Sequence, residues 1–283
     1  MDPRFLPAQQ ALSRGDVEEL INVLSANPEL AIARSSCDHP TLMQCLVLHK
    51  PVVDSLERLI RILAEHGSEL TNPLIAAASG NNVRAILELI HLGGDINGNG
   101  NWSPLEEALY WVHPASVEVL LHRGAAVDNL RKGAGFGQMD VIASCFDEDG
   151  ALNAQAGEVA WPFGDNIPEQ IRSDRQQIVD NALIYGAAWG QIAAVDELLK
   201  RGANVNSIPA GFDFAGTALH YAALQGLSEM ADHLLDRGAN PAAVDSKIRK
   251  MPENWAAHGG HSALGAYLRT RREQGTSESR DGL

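Results

Sequence analysis

The sequence has only three cysteines, Cys37, Cys45 and Cys145, an odd count with no CxxC spacing, so neither a disulfide framework nor a zinc site is indicated. It is poor in aromatics, with five Trp, four Tyr and six Phe among 283 residues. Positive charge is scarce as well: 22 Lys and Arg against 36 Asp and Glu give a net charge of −14. That balance argues against a nucleic-acid backbone as the main partner and suits a cationic one. No stretch approaches the 18 uninterrupted apolar residues of a membrane span, and MDPRFLPAQQ lacks the basic and apolar regions of an export signal. A soluble, cytoplasmic protein without membrane contact is expected. With 45% hydrophobic residues the chain can bury a sizeable core.

What is present is a repeat. In TALHYAALQGLSEMADHLLDRGANP a leading Leu219 is followed by Ala222, Ala223 and Gly226, then by Leu234 and Leu235. NALIYGAAWGQIAAVDELLKRGANVN places Leu183, Gly186, Ala187, Gly190, Leu198 and Leu199 on the same ruler, and NLRKGAGFGQMDVIASCF places Leu130, Gly133, Ala134, Gly137, Cys145 and Phe146 there. Leu74 and Leu105 lead two further copies, and a degenerate last copy runs MPENWAAHGGH. Each slot has a physical reason: small residues allow close helix packing, a glycine ends the helix in the left-handed conformation, and a second helix supplies paired aliphatics.

These motifs resemble the ankyrin repeat, a helix-turn-helix closed by a β-turn finger, and the resemblance covers nearly the whole chain. It implies an all-α solenoid of about eight units with short β-turn fingers. Leading positions Ala8, Leu42, Leu74, Leu105, Leu130, Leu183, Leu219 and Glu253 set the register. One array over residues 1–269 is expected, with a loop of about five extra residues between the helices of the second unit around Lys50 to Asp54, where Pro51 interrupts the helix, and a polar, disordered tail over 270–283. An insertion at about 147–174 carries seven carboxylates against Arg172 alone.

Most residues that suggest chemistry are accounted for by the repeat. His220 occupies the bracing position of TALH, His261 follows the helix-ending glycine, and the HxxH of His258 and His261 shows no third ligand. Cys145 falls in an aliphatic slot, and Cys37 and Cys45, near His39, lack an orienting group for a nucleophile. In KGAGFGQ, Gly133 and Gly137 are repeat slots rather than parts of a phosphate loop, and Gly135 is the one glycine that the pattern does not demand. No catalytic residue, metal or cofactor is implied, and the chain is read as non-enzymatic.

The fifth and sixth residues after each leading position face the concave groove in the family that the motifs resemble. Here they include Tyr110, Trp111, Phe136, Trp189 and Gln225, with Trp102 three residues before Leu105. The five aromatics are expected to form one contiguous patch, a hot-spot surface for a protein partner or a stripe covered by Trp161 and Phe163 of the insertion acting as a lid. The carboxylates Asp147, Glu148, Asp149 and Asp165 are expected to steer a basic partner. The layout is similar to that of bacterial ankyrin proteins with no assigned function, and neutralisation of a basic toxin is one concrete form of the binding role. The competing reading is an enzyme or small-molecule binder using the aromatic groove beneath the insertion.

Overall fold

A computed structural model describes residues 3–35, 41–49, 54–98, 100, 102–161 and 167–281, with side chains described up to 274. Cys37, His39, Lys50, Phe163 and Asp165 lie outside the described residues. Contacts divide the chain into two compact units, 1–126 and 127–283, where the sequence reads as one array.

In the first unit four helix pairs follow one another: α1 (Leu6–Arg14) and α2 (Val17–Ala26), α3 (Leu42–His49) and α4 (Leu56–Glu65), α5 (Thr71–Ser79) and α6 (Val83–His91), α7 (Pro104–Tyr110) and α8 (Pro114–His122). The first helices stack on one another in order, as do the second helices. The leading residues Ala8, Leu42, Leu74 and Leu105 are completely buried, as are Leu89 and Leu120 from the second helices. Each pair therefore buries its apolar stripe against its neighbours rather than in a central core. Polar side chains tie the pairs together where backbone groups would otherwise go unpaired. Asn82 donates to the Val47 carbonyl at 3.0 Å, and Asn81 Oδ1 accepts from the Ser116 amide at 3.2 Å as well as from its hydroxyl at 2.8 Å.

The second unit contains α9 (Leu130–Phe136) and α10 (Met139–Ser144), then the short α11 (Glu169–Arg172). Three further pairs follow: α12 (Arg175–Ala188) and α13 (Ile192–Lys200), α14 (Ala218–Leu224) and α15 (Ser228–Asp236), α16 (Pro252–His258) and α17 (Ser262–Asp281). The first helices α9, α12, α14 and α16 form the row. Leu130, Leu183, Leu198, Leu219 and Leu234 are buried, and so is Cys145, whose thiol burial pushes up to about 11. That thiol is a core group and not a nucleophile.

The last leading position is a carboxylate. Glu253 lies 7% exposed and is held by Arg269 Nε at 3.4 Å and Arg272 Nε at 3.1 Å, both from α17. The pairing ties α17 to α16, and α17 runs as far as Asp281, so the polar segment from residue 270, expected to be disordered, is helical to that point.

Between α10 and α12 the chain is fastened at several points. Phe146 and Leu152 form an isolated antiparallel bridge, the Val159 amide donates to the Arg172 carbonyl at 2.9 Å, and Arg131 donates to the Glu158 carbonyl. Ala156 and Val159 are almost wholly buried in the core of this unit. Gly211, at φ +93°, passes so close to this segment that a Cβ there would sit 3.0 Å from the Ala160 carbonyl and from Val159. Asp147, Glu148 and Asp149 are exposed. The fingers are built by short polar side chains bonding their own backbone two residues on. Asn204 accepts from the Asn206 amide and Asn240 from the Ala242 amide, both at 2.9 Å, and Asn206 reaches the next finger by accepting from the Asn240 amide at 2.8 Å.

Candidate protein-binding site

Each unit presents aromatic side chains from the positions that the sequence singles out. In the first unit, α7 is opened by a capping box in which Ser103 accepts from the Glu106 amide and Glu106 accepts from the Ser103 amide at 2.8 Å. This fixes the chain direction at Trp102. Gly98, at φ +78°, comes so near that a Cβ would meet the Trp102 carbonyl at 2.5 Å. Trp102, Tyr110 and Trp111 are all half-buried. The Trp102 and Tyr110 ring centroids lie 6.1 Å apart at 72°, and those of Tyr110 and Trp111 lie 5.1 Å apart at 82°, the edge-to-face geometry that aromatic quadrupoles favour.

Under these rings lies Glu107, which sequence reasoning missed. It is 4% exposed, and its two oxygens accept from the Trp102 indole at 2.5 Å and the Trp111 indole at 2.8 Å. Burial raises its pKa above the ordinary carboxylate range, opposed by the hydrogen bonds from Trp102, Trp111 and Ser79. The available signal was the four-residue spacing from Glu107 to Trp111, which puts them on one helix face. The carboxylate locks both indoles in place, so Trp111 is coupled to the fold as well as to the surface.

In the second unit Phe136 and Trp189, both half-buried, meet at 5.8 Å and 69°. Phe136 ends α9 and Trp189 caps α12. Gly137 at φ +65° turns the chain after Phe136, and a Cβ there would lie 2.4 Å from Gln191 Oε1. Gln225 caps α14 and is half-buried.

A second aromatic run in this unit was not expected. Phe212, from the finger, stands 5.1 Å from both Tyr185 and Tyr221, and Tyr221 stands 5.3 Å from Trp255. Tyr185, Tyr221 and Trp255 share one slot, two residues after the leading position, which was the signal in the sequence. Tyr185 and Trp255 are buried, so this run is core at its ends. The Trp255 indole donates at 3.0 Å to Asp245, which is fully buried and also accepts from the amides of Lys247, Ile248, Arg249 and Lys250. Burial pushes the Asp245 pKa up, but the amide and indole donors outweigh it and hold it below the ordinary range.

His220 is a brace. Its Nδ1 accepts from the Thr217 amide at 3.1 Å, which leaves Nε2–H to donate to the Lys250 carbonyl at 3.1 Å. Burial lowers its pKa, opposed by the Lys250 bond and the charge of Asp245. His261 packs against Gly226, and His258 is exposed. Among the described residues no group of three or more His, Cys, Asp or Glu could hold a metal ion, and no helix is long and apolar enough to cross a membrane.

The stacked helix pairs define an all-α repeat protein. Residues 168–245 match the family model described as ankyrin repeats (3 copies). Among solved structures it is similar to the human ASB11 ankyrin repeat domain, at 17% identity and a TM-score of 0.42 over 93% of this chain and 97% of that one. No curated protein matches the chain.

Proposed function

We propose that this is a non-enzymatic ankyrin-repeat module that binds a basic protein partner through its half-buried aromatic clusters. The observation that carries the reading is the Trp102, Tyr110 and Trp111 cluster, whose two indoles are pinned by the buried Glu107 carboxylate. Rings held in place before binding give contact area at little entropic cost, the property of interface hot spots. Phe136, Trp189 and Gln225 supply a comparable surface on the second unit. The exposed carboxylates Asp147, Glu148 and Asp149 add a field that speeds the approach of a cation, consistent with the net charge of −14. A basic toxin is one partner of this chemistry, and a cytoplasmic setting suits the role.

The test is affinity capture with the tagged full chain, its Tyr110→Leu variant and its Trp189→Leu variant, read by mass spectrometry. One protein with an excess of Lys and Arg should be retained by the parent chain and lost from at least one variant while the thermal midpoints stay close. Identical captured sets from all three chains would refute the reading.

A further inference from the structure

We propose that the Trp102, Tyr110 and Trp111 cluster receives an arginine side chain of the partner, its guanidinium lying against the ring faces above the charge of Glu107. This rests on the reading of that cluster as a protein-binding surface and names what it recognises. Three rings, each nearly perpendicular to the next, leave part of their surface to solvent, and a cation is attracted to an aromatic face by the ring quadrupole.

Glu107 discriminates between the two common cationic side chains. Its oxygens already accept from the Trp102 and Trp111 indoles, and the Ser79 side chain bonds to it too, while only 4% of the residue is exposed. It supplies negative charge without offering an open acceptor. A lysine ammonium is strongly hydrated and must exchange its waters for acceptors, whereas a guanidinium is weakly hydrated and stacks on a ring through its plane. The chain uses this contact internally: the Arg201 guanidinium carbon lies 4.0 Å from the centroid of the Phe146 ring. The net charge of −14 favours a basic segment over a neutral one.

Three fluorescein-labelled peptides of alternating glycine and a test residue, arginine, lysine or citrulline, should be titrated against the full chain by fluorescence anisotropy at fixed ionic strength. Citrulline keeps the shape of arginine and removes its charge. The arginine peptide should bind at least about tenfold more tightly than either other peptide. Tyr110→Leu should remove that preference, and Glu107→Gln should weaken the arginine peptide selectively, with circular dichroism confirming that both variants fold. Trp102→Phe, which keeps a ring but gives up the bond to Glu107, serves if Tyr110→Leu does not fold. Equal binding of arginine and lysine, equal binding of arginine and citrulline, or no binding of the arginine peptide up to millimolar concentration would overturn the proposal. If binding needs Tyr110 but shows no preference for arginine, the protein-binding reading survives and the guanidinium assignment falls. If the captured basic protein binds the Tyr110→Leu and Trp189→Leu chains as well as the parent, both fall.

Discussion

The slot two residues after the leading position holds different chemistry in the two units. In the second unit it carries Lys132 in α9 and then Tyr185, Tyr221 and Trp255, and Phe212 joins Tyr185 and Tyr221 into an aromatic run. In α7 of the first unit it carries Glu107, and the aromatics stand above it. The helix-ending slot differs too. In the second unit Gly137, Gly190, Gly226 and Gly260 all occupy it at positive φ; in the first unit Gly15 does so after α1, but Asn81 and Val112 take it after α5 and α7 at φ +50° and φ +54°. A β-branched residue in the left-handed region costs about 1–2 kcal/mol, and here it directly follows Trp111. The departures from the pattern in α7 and in its turn thus lie beside the same aromatics on which the proposed binding surface rests.

The comparison can be broken most forcefully through the cores. Leu198→Ala in the second unit and Leu89→Ala in the first should each lose roughly 2–5 kcal/mol, because both leucines are completely buried between helix pairs. Denaturant midpoints that shift by less than about 0.5 kcal/mol in either unit would show that its stacking does not carry its stability.

Asp245→Asn should cost about 2–3 kcal/mol, since an amide cannot replace a carboxylate that accepts from four backbone amides and an indole. A smaller loss is expected from Glu107→Gln, which leaves one of two indole donors without its acceptor but also removes a charge that burial disfavours. Chemical denaturation of both variants checks the contrast, and equal losses would erase it.

Acid should separate the units by sign. His220 titrates below its ordinary value of 6.5, so its contribution is fully present above about pH 6.5 and is lost as pH falls through the folded-state pKa. The lowered Asp245 acts in the same sense at lower pH, its contribution present above 3.8 and lost as pH falls through its own pKa. Glu107 is raised from 4.5, so its contribution is present below that value and is lost as pH rises through the folded-state pKa. Stability measured across pH 4 to 7 should therefore fall on the acid side, less steeply in His220→Gln and more steeply in Glu107→Gln. Parallel curves for all three chains would contradict these signs.

The smallest expected effect is a gain. Val112→Gly should raise stability by up to about 1 kcal/mol, as relief of the left-handed strain is partly offset by the greater freedom of glycine in the unfolded chain. Gly226→Val should lose more than that, because its Cβ would lie 2.4 Å from His261 Nδ1. A loss at Val112→Gly would mean that the turn is not strained.

The repeat was legible in the sequence because its slots are one-residue facts: a buried leucine at Leu219, a small pair at Ala222 and Ala223, a left-handed glycine at Gly226. The half-buried aromatics followed from counting along that register. Glu107 was not legible, since a carboxylate in a short helix reads as a solvated charge until two indoles are seen to reach it from five and four residues away. The role of the insertion was hidden for a similar reason. Ala156 and Val159 look like linker residues but are core, and the segment is fastened at the Glu158 carbonyl by the distant Arg131 and between the main chains of Val159 and Arg172, contacts that no local sequence pattern announces. Trp111 carries a further lesson: its bond to Glu107 ties surface and stability together, so Tyr110 and Trp189 are the better probes of binding alone.

The central claim is that the half-buried aromatics form a binding surface and not an extension of the core. It is tested most directly by measuring partner affinity and the denaturant midpoint on the same preparations of the parent chain, Tyr110→Leu and Trp189→Leu. Affinity at least about tenfold weaker, roughly 1.4 kcal/mol, in at least one variant, with stability of both within about 0.5 kcal/mol of the parent, is the expected result. Unchanged affinity with a stability loss above about 2 kcal/mol would make the rings structural and contradict the account.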